Sequence, residues 1–462
     1  MSRYLLAVLA VVLAGAVGGG FPALAAPLDA ERTAGLDAAL DAMIGSEGTC
    51  VPGLGVIVYK DGTRAYNKFL GRRHIDAQDP SLDRPFTEDS RFRVASVSKQ
   101  FTALAVLQLT EQGKLDLDAD VSQYLGFSLR NPHFPDTPIT LRMLLSHTSS
   151  IRDGRAYAIP PQYGVKEFFT ADGKFYEEGA HFAPAEEAPG KYFRYSNLNY
   201  GLLGTIVEAV TGERFDRYMR SHLLAQLDIK GSFNPGDFTK EELALLGSIY
   251  QKQKDGQWDE KGPWVAQIDD YSDKAPDRDT VAVNNPDIRG TDSWYGLAAY
   301  KPGTNATVFS PQGGLRVSCA ELEHLLQLYL NDGVYNGVQI VRKDLLDEMF
   351  RIQWQFDPDH PNGNTYGGSI EAYCLGVYPL LGTGRSRPAK DLDVNLKGHL
   401  GEAYGLLSGV MVRTGTRDGF IYIMNGEAVA EDDDPRSEGT FSGNYIWEET
   451  MMNAICSNAF AD

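Results

Sequence analysis

Cysteine is scarce in this chain, positive charge is outnumbered, and metal-binding spacings are missing. Four cysteines in 462 residues are too few for a disulfide scaffold. The 43 Lys and Arg face 62 Asp and Glu, for a formal net charge of −19. That balance argues against nucleic acid or an anionic membrane surface as main partner, and mildly favours neutral or cationic substrates. After the first 25 residues no stretch is long and apolar enough to span a bilayer, so no stable membrane insertion is expected. The eight histidines show no His-x-x-x-His spacing and the cysteines no paired spacing, so no metal and no cofactor is implied. No Gly-x-Ser-x-Gly elbow surrounds any serine, which counts against one large hydrolase architecture. No internal repeat or coiled-coil period is present.

Residues 1–25 read as a secretory signal. Arg3 is the positive start, Leu5–Val17 the apolar run, and Ala23-Leu24-Ala25 the small-residue cleavage pattern. The expectation is export to the periplasm or beyond, with residues 26–462 as the mature protein. Helical patterns fall at Ala30–Ile44, Leu141–Ser146, Asn199–Thr211, Phe215–Leu227, Ala320–Asn331, Lys343–Phe350 and Gly443–Ser457. Strand-like runs fall at Gly53–Tyr59 and Thr63–Gly71, joined by Asp61-Gly62, a strong hairpin signal. Others lie at Ala372–Leu380, Leu406–Val412 and Gly419–Met424. Strands near both ends and helices between them predict an α/β fold of the α+β type. An antiparallel sheet would be built from about 26–95 and 310–462, with a mainly helical subdomain inserted over about 96–309. Residues 230–310, rich in Asp, Gly, Pro and aromatics, show little periodicity, and Glu431–Asp434 reads as a solvated acidic loop. If the first and last helices pack together, a Cys50–Cys456 bridge is open. Cys319 and Cys374 read as buried thiols.

Ser96-Val97-Ser98-Lys99 opens the apolar stretch Gln100–Leu109. A helix places residues i and i+3 on one face, so the Lys99 amine stands beside the Ser96 hydroxyl. The first turn also offers free backbone N–H groups and a positive dipole end to developing negative charge. These are the parts that activate a hydroxyl nucleophile. Alone the tetrapeptide is weak, since Ser-x-x-Lys arises about once by chance in a chain this long.

Two later motifs decide. Tyr195-Ser196-Asn197 follows Gly190–Arg194, and His399-Leu400-Gly401 precedes Glu402. With Glu111–Asp118, Val121–Leu125 and Leu144–Ile151 as framing segments, the chain resembles the serine β-lactamase and penicillin-binding-protein superfamily. The nearest branch is the class C-like one, with its DD-peptidase, D-aminopeptidase and esterase members. The resemblance runs from about Leu36 to the final helix, least well over 230–310. It implies a β-lactamase-like fold and an acyl-enzyme formed at Ser96, with Lys99 or Tyr195 as proton acceptor. Asn197 would orient substrate and Lys99. His399 would line the cleft and hydrogen-bond the Tyr195 region. Backbone N–H groups of Ser96 and of Glu402, just after Gly401, would form the oxyanion hole. His147 reads as part of a structural turn.

The chain departs from that pattern where relatives hold a substrate carboxylate. Leu400 donates no hydrogen bond, and Glu402 adds repulsion of about one to a few kcal/mol. A penicillin or D-Ala-D-Ala carboxylate is therefore poorly served. Glu402 would instead pair with a substrate ammonium, or point to solvent while its N–H alone matters. The expected activity is that of an exported serine hydrolase acting on an ester or a D-amino-acid amide or peptide. The alternatives are a D-Ala-D-Ala carboxypeptidase, a β-lactamase, or a non-catalytic binding protein of the same fold. The expected partner is a small-molecule or peptide substrate, and no oligomeric state is implied.

Overall fold

The computed structural model describes residues 27–45, 50–271, 274–284, 292–430 and 434–461. The signal-like segment and most of the acidic run at 431–434 lie outside the described residues. A seven-stranded antiparallel sheet organises the molecule. Its N-terminal strands are β1 (Gly53–Lys60), β2 (Thr63–His74) and β3 (Arg84–Pro85). Its C-terminal strands are β4 (Tyr378–Leu380), β5 (Leu396–Ala403), β6 (Leu406–Arg413) and β7 (Gly419–Met424). The spatial order is β4-β5-β6-β7-β1-β2-β3, so the two chain ends meet where β7 pairs with β1. Asp61 and Gly62 both take positive φ, at 50° and 82°. That is the backbone a tight two-residue hairpin needs.

Alternation along the strands feeds two cores. Val56, Val58, Phe420, Tyr422 and Met424 pack with α1 (Ala30–Met43) and with Trp447, Met451 and Met452, which lie on the last helix. Ile57, Tyr59, Ile421 and Ile423 point the other way, into a larger core. That core takes in α2 (Ser98–Glu111), α3 (Asn197–Thr211) and α4 (Cys319–Leu330). The last helix is α5 (Ile446–Ile455). Every residue of α2 from Ser98 to Leu109 is buried, as its nearly all-round apolar pattern predicts.

Three expectations need correction. Helices α1 and α5 do pack together, yet Cys50 and Cys456, like Cys319 and Cys374, are buried free thiols. The run Ala372–Leu380 is two strands, Ala372–Tyr373 and Tyr378–Leu380, separated at Gly376 with φ 76°. The stretch 230–310 contains antiparallel pairs: Ile249–Lys254 with Trp264–Ile268, and Thr280–Asn284 with Asp292–Gly296. The later part of the inserted region thus mixes short helical turns with strand pairs. Short strands broken by Gly, Pro and Asp turns leave no sustained period to read.

The strand that leads into the Ser96 turn is Arg91–Arg93, paired with Arg316–Ser318. It is anchored by a buried bidentate ion pair, with Arg91 Nε and Nη2 donating to Glu321 at 3.0 and 2.9 Å. Glu321 also caps α4 by accepting from Ser318 N at 3.0 Å, and accepts from Lys230 N at 2.9 Å. Removing one partner of a buried pair leaves the other charge uncompensated. Glu321→Ala should therefore lower unfolding stability by about 3–5 kcal/mol, read as a fall in the denaturant midpoint.

Candidate active site

Ala95 precedes Ser96 with φ 44°, a left-handed conformation unfavourable for a residue with a Cβ. The turn Ala95–Val97 then runs into α2. Ser96 is partly accessible where its neighbours Ala95 and Val97 are buried. Ser408 on β6 donates to Val94 O at 2.9 Å, which ties this turn to the sheet. Gly401 on β5 is required here: a Cβ at this position would stand 2.6 Å from Val94 O and 3.1 Å from Ser96 N. Ser96 N is therefore held against β5 at Gly401, the placement an oxyanion site with the following N–H of Glu402 needs. Strand β4 covers β5 only from Leu396 to Gly398. The portion from His399 onward has no strand on that side among the described residues.

Lys99 is 0 % exposed. Its Nζ donates to Ser96 Oγ at 3.0 Å, Asn197 Oδ1 at 2.9 Å and the Gln312 carbonyl at 2.9 Å. It also lies 4.7 Å from the Tyr195 ring centroid and 5.3 Å from that of Tyr200. Among the described residues no carboxylate is a hydrogen-bond partner of Lys99. Burial pushes its pKa down to about 7, with the charge of Asp153 acting in the opposite sense. Burial pushes the Tyr195 phenol well above its ordinary value, partly offset by a hydrogen bond with Ser96. The two candidate bases thus diverge: the amine is brought into the neutral range and the phenol is kept protonated.

Asn197 is fixed in orientation because its Nδ2 donates to Asp153 Oδ2 at 3.1 Å. Asp153 Oδ1 accepts from Ser196 Oγ at 2.8 Å and from Leu198 N at 2.9 Å. The carboxylate caps the start of α3 from outside, where the helix dipole favours negative charge. Nothing near Asp153 in the sequence signals this role. Gln312 escapes notice for a different reason, since it contributes a backbone carbonyl.

His399 is 2 % exposed and does not line the cleft as expected. Its Nδ1 faces the Leu400 carbonyl. Nδ1 therefore carries the proton, and Nε2 accepts from the Tyr373 hydroxyl at 2.8 Å. Tyr373 stands edge-on to Tyr195, and the His399 ring centroid lies 6.1 Å from that of Tyr195, so His399 packs against the Tyr195 ring while its hydrogen bond goes to Tyr373. Burial, and next the Lys99 charge, push His399 down to about 3, which keeps it neutral. His147 occupies a turn after the helix Leu141–Leu145, with φ 57°. Its ring lies 4.2 Å from that of Tyr195 and its Nδ1 accepts from Ser196 N at 3.1 Å. It braces the Tyr195 segment from behind. Leu400 is buried in the core shared with Tyr422, and Glu402 is exposed at the end of β5.

The family model described as Beta-lactamase matches residues 40–443. Protein flp of Staphylococcus aureus (strain MW2) is 28% identical over 183 residues, covering 39% of this chain and 34% of that protein. The chain thus spans about a third of the length of the flp relatives it matches. A candidate D-alanyl-D-alanine carboxypeptidase of Escherichia coli (strain K12) is 25% identical over 352 residues, covering 72% of this chain and 74% of that protein. Among solved structures, the D-amino acid amidase of Ochrobactrum anthropi SV3 complexed with D-phenylalanine superposes with a TM-score of 0.59. It is 19% identical and covers 94% of this chain and 100% of that one.

The Lys99 ε-amine should titrate near pH 7, observable by NMR of protein labelled at lysine Cε. Asp153→Asn removes the negative charge that raises this value and should lower the midpoint. An unchanged or higher midpoint in the variant would contradict the electrostatic arrangement described above.

Proposed function

Because the chain belongs to the Beta-lactamase family, we propose that it is a serine hydrolase that forms an acyl-enzyme at Ser96. The observation that supports this reading best is the 3.0 Å contact between Ser96 Oγ and a buried amine that has no carboxylate partner among the described residues. A lysine paired with an acid would stay charged and could not accept a proton. Lys99 is held by two neutral oxygens and the nucleophile itself, and is the base in this reading.

Ser96 Oγ attacks the acyl carbon and its proton passes to Lys99 Nζ. The oxyanion is met by the N–H groups of Ser96 and Glu402, one such donor being worth about 3 kcal/mol. As the tetrahedral intermediate collapses, the bond to the leaving alkoxide or amine breaks. The proton returns to that group from Lys99 directly or through the Tyr195 hydroxyl. Water then attacks the acyl-enzyme with Lys99 again as acceptor, releasing the acid and restoring Ser96. His399, neutral and turned toward Tyr373, holds the phenol layer in place.

The substrate is an ester or a D-amino-acid amide or peptide. The name of the Ochrobactrum anthropi amidase supports the amide arm, and the name of the Escherichia coli relative supports the peptide arm. Export rests on the leader-like sequence of residues 1–25.

A rate panel tests the reading with a nitrophenyl ester, a D-alanyl anilide, a D-Ala-D-Ala peptide and a chromogenic cephalosporin. Wild type should turn over at least the ester or the anilide. Ser96→Ala and Lys99→Met should each lose at least about a thousandfold in kcat/KM, because members of such a unit fail together. Turnover that survives in Ser96→Ala would refute the assignment, and none by any form would favour a binding protein.

A further inference from the structure

A cavity of about 290 Å³ opens beside the candidate nucleophile, and nothing in the proposed acyl transfer uses it. One wall is Gln312, whose carbonyl holds Lys99, together with Ser310. The opposite wall comes from the inserted segment, with Tyr271, Val281 and Trp294. Its charge inventory is one-sided. Arg93, Arg155 and Arg316 line it, and among the described lining residues there is no Asp or Glu. In a chain of net charge −19 that is the reverse of the average surface.

Arg316 is neutralised by Asp269, with Nη2–Oδ1 at 2.9 Å. Arg93 is not neutralised in this way. Its Nε donates to Gly313 O at 3.0 Å and its Nη2 to Ser310 Oγ at 3.3 Å, and its guanidinium carbon lies 5.3 Å from the Tyr404 ring centroid. These contacts fix the plane of the group while leaving donors over. A guanidinium has five N–H bonds in a fork that matches a carboxylate. No described carboxylate pairs with it. Arg93 lies three residues before Ser96, and the carbonyl it grips is next to the one that grips Lys99. Tyr157 and Trp294, 38 % and 50 % exposed, add aromatic surface to the cavity.

We propose that this cavity is the subsite for a carboxylate-bearing, apolar-bodied part of the substrate, with Arg93 holding the carboxylate and Tyr157 and Trp294 flanking the body. This deepens the hydrolase reading, on which it rests for the word substrate. It also reverses the expectation drawn from Leu400 and Glu402. The positive charge those positions lack is supplied by the strand on the other side of Ser96.

The test is calorimetric titration of Ser96→Ala protein with phenylacetate and with phenylacetamide, which share a ring and differ in charge. Phenylacetate should bind at least tenfold more tightly, and Arg93→Gln in the same background should abolish the difference. Added salt should shrink the preference in the parent protein, a readout that stands even if Arg93→Gln fails to fold. In wild type, phenylacetate should raise KM for a nitrophenyl ester and leave kcat alone. Equal binding of the two probes, binding of neither, a preference that survives Arg93→Gln, or non-competitive inhibition would each overturn the proposal. A wild type that binds with the expected preference and hydrolyses nothing would instead refute the hydrolase reading and leave the anion subsite standing.

Discussion

One buried, uncompensated amine governs the site. Lys99 is wholly buried, and among the described residues no carboxylate forms an ion pair with it. Among the described residues its polar partners are the Ser96 hydroxyl, the Asn197 amide oxygen and the Gln312 carbonyl, with two aromatic faces beside it. Desolvation of an ammonium is worth far more than hydrogen bonds to neutral oxygens return. The protein thus keeps beside its serine a base that is neutral near pH 7. The costs are borne elsewhere in the fold, through a wholly buried α2, a sheet with two cores and buried ion pairs such as Arg91–Glu321.

The surroundings keep the charge pattern from collapsing. His399 and His147, which would compete as cations, are held neutral by burial and by Lys99 itself. Among the described residues Asp153 is the carboxylate whose charge acts on Lys99. It is engaged with Ser196, Asn197 and Leu198, so it raises the amine's pKa from a distance and forms no ion pair with it. A direct pair would hold Lys99 charged. Gly376 shows how tightly the shell is packed, since a Cβ there would sit 2.7 Å from Ala103 Cβ and 2.9 Å from the Tyr200 hydroxyl.

Much of this was legible in the sequence because it is local. Ser96 and Lys99 are joined by helical spacing, Asp61-Gly62 by turn geometry, and α2 by its unbroken apolar character. The sheet from both ends, the family and the position of Asn197 followed from ordered motifs. What was not legible arises from long-range contact or from the backbone. Gln312 acts through a carbonyl that any residue supplies. Asp153 reaches the site from a distant loop and Tyr373 from the short strand Ala372–Tyr373. The sequence sets Leu400 at the substrate rim and leaves Glu402 either there or in solvent; Leu400 packs in the core and Glu402 is exposed. The positive charge of the neighbouring cavity comes instead from Arg93, hidden in a strand before the nucleophile. Cys50 and Cys456 follow the first and last helices, which pack together as anticipated, and are still not bridged. The strands between 249 and 296 are too short to show a period.

The most direct test of a serine activated by a neutral lysine is the pH dependence of its covalent modification. Wild-type protein would be treated with a fluorophosphonate between pH 5 and 9, and the adduct mapped by peptide mass spectrometry. Labelling on Ser96, with a rate that rises through a single ionisation near pH 7 and then levels, is the result expected from the amine's position and burial. A rate that ignores pH across that interval, or an adduct on another residue, would contradict it.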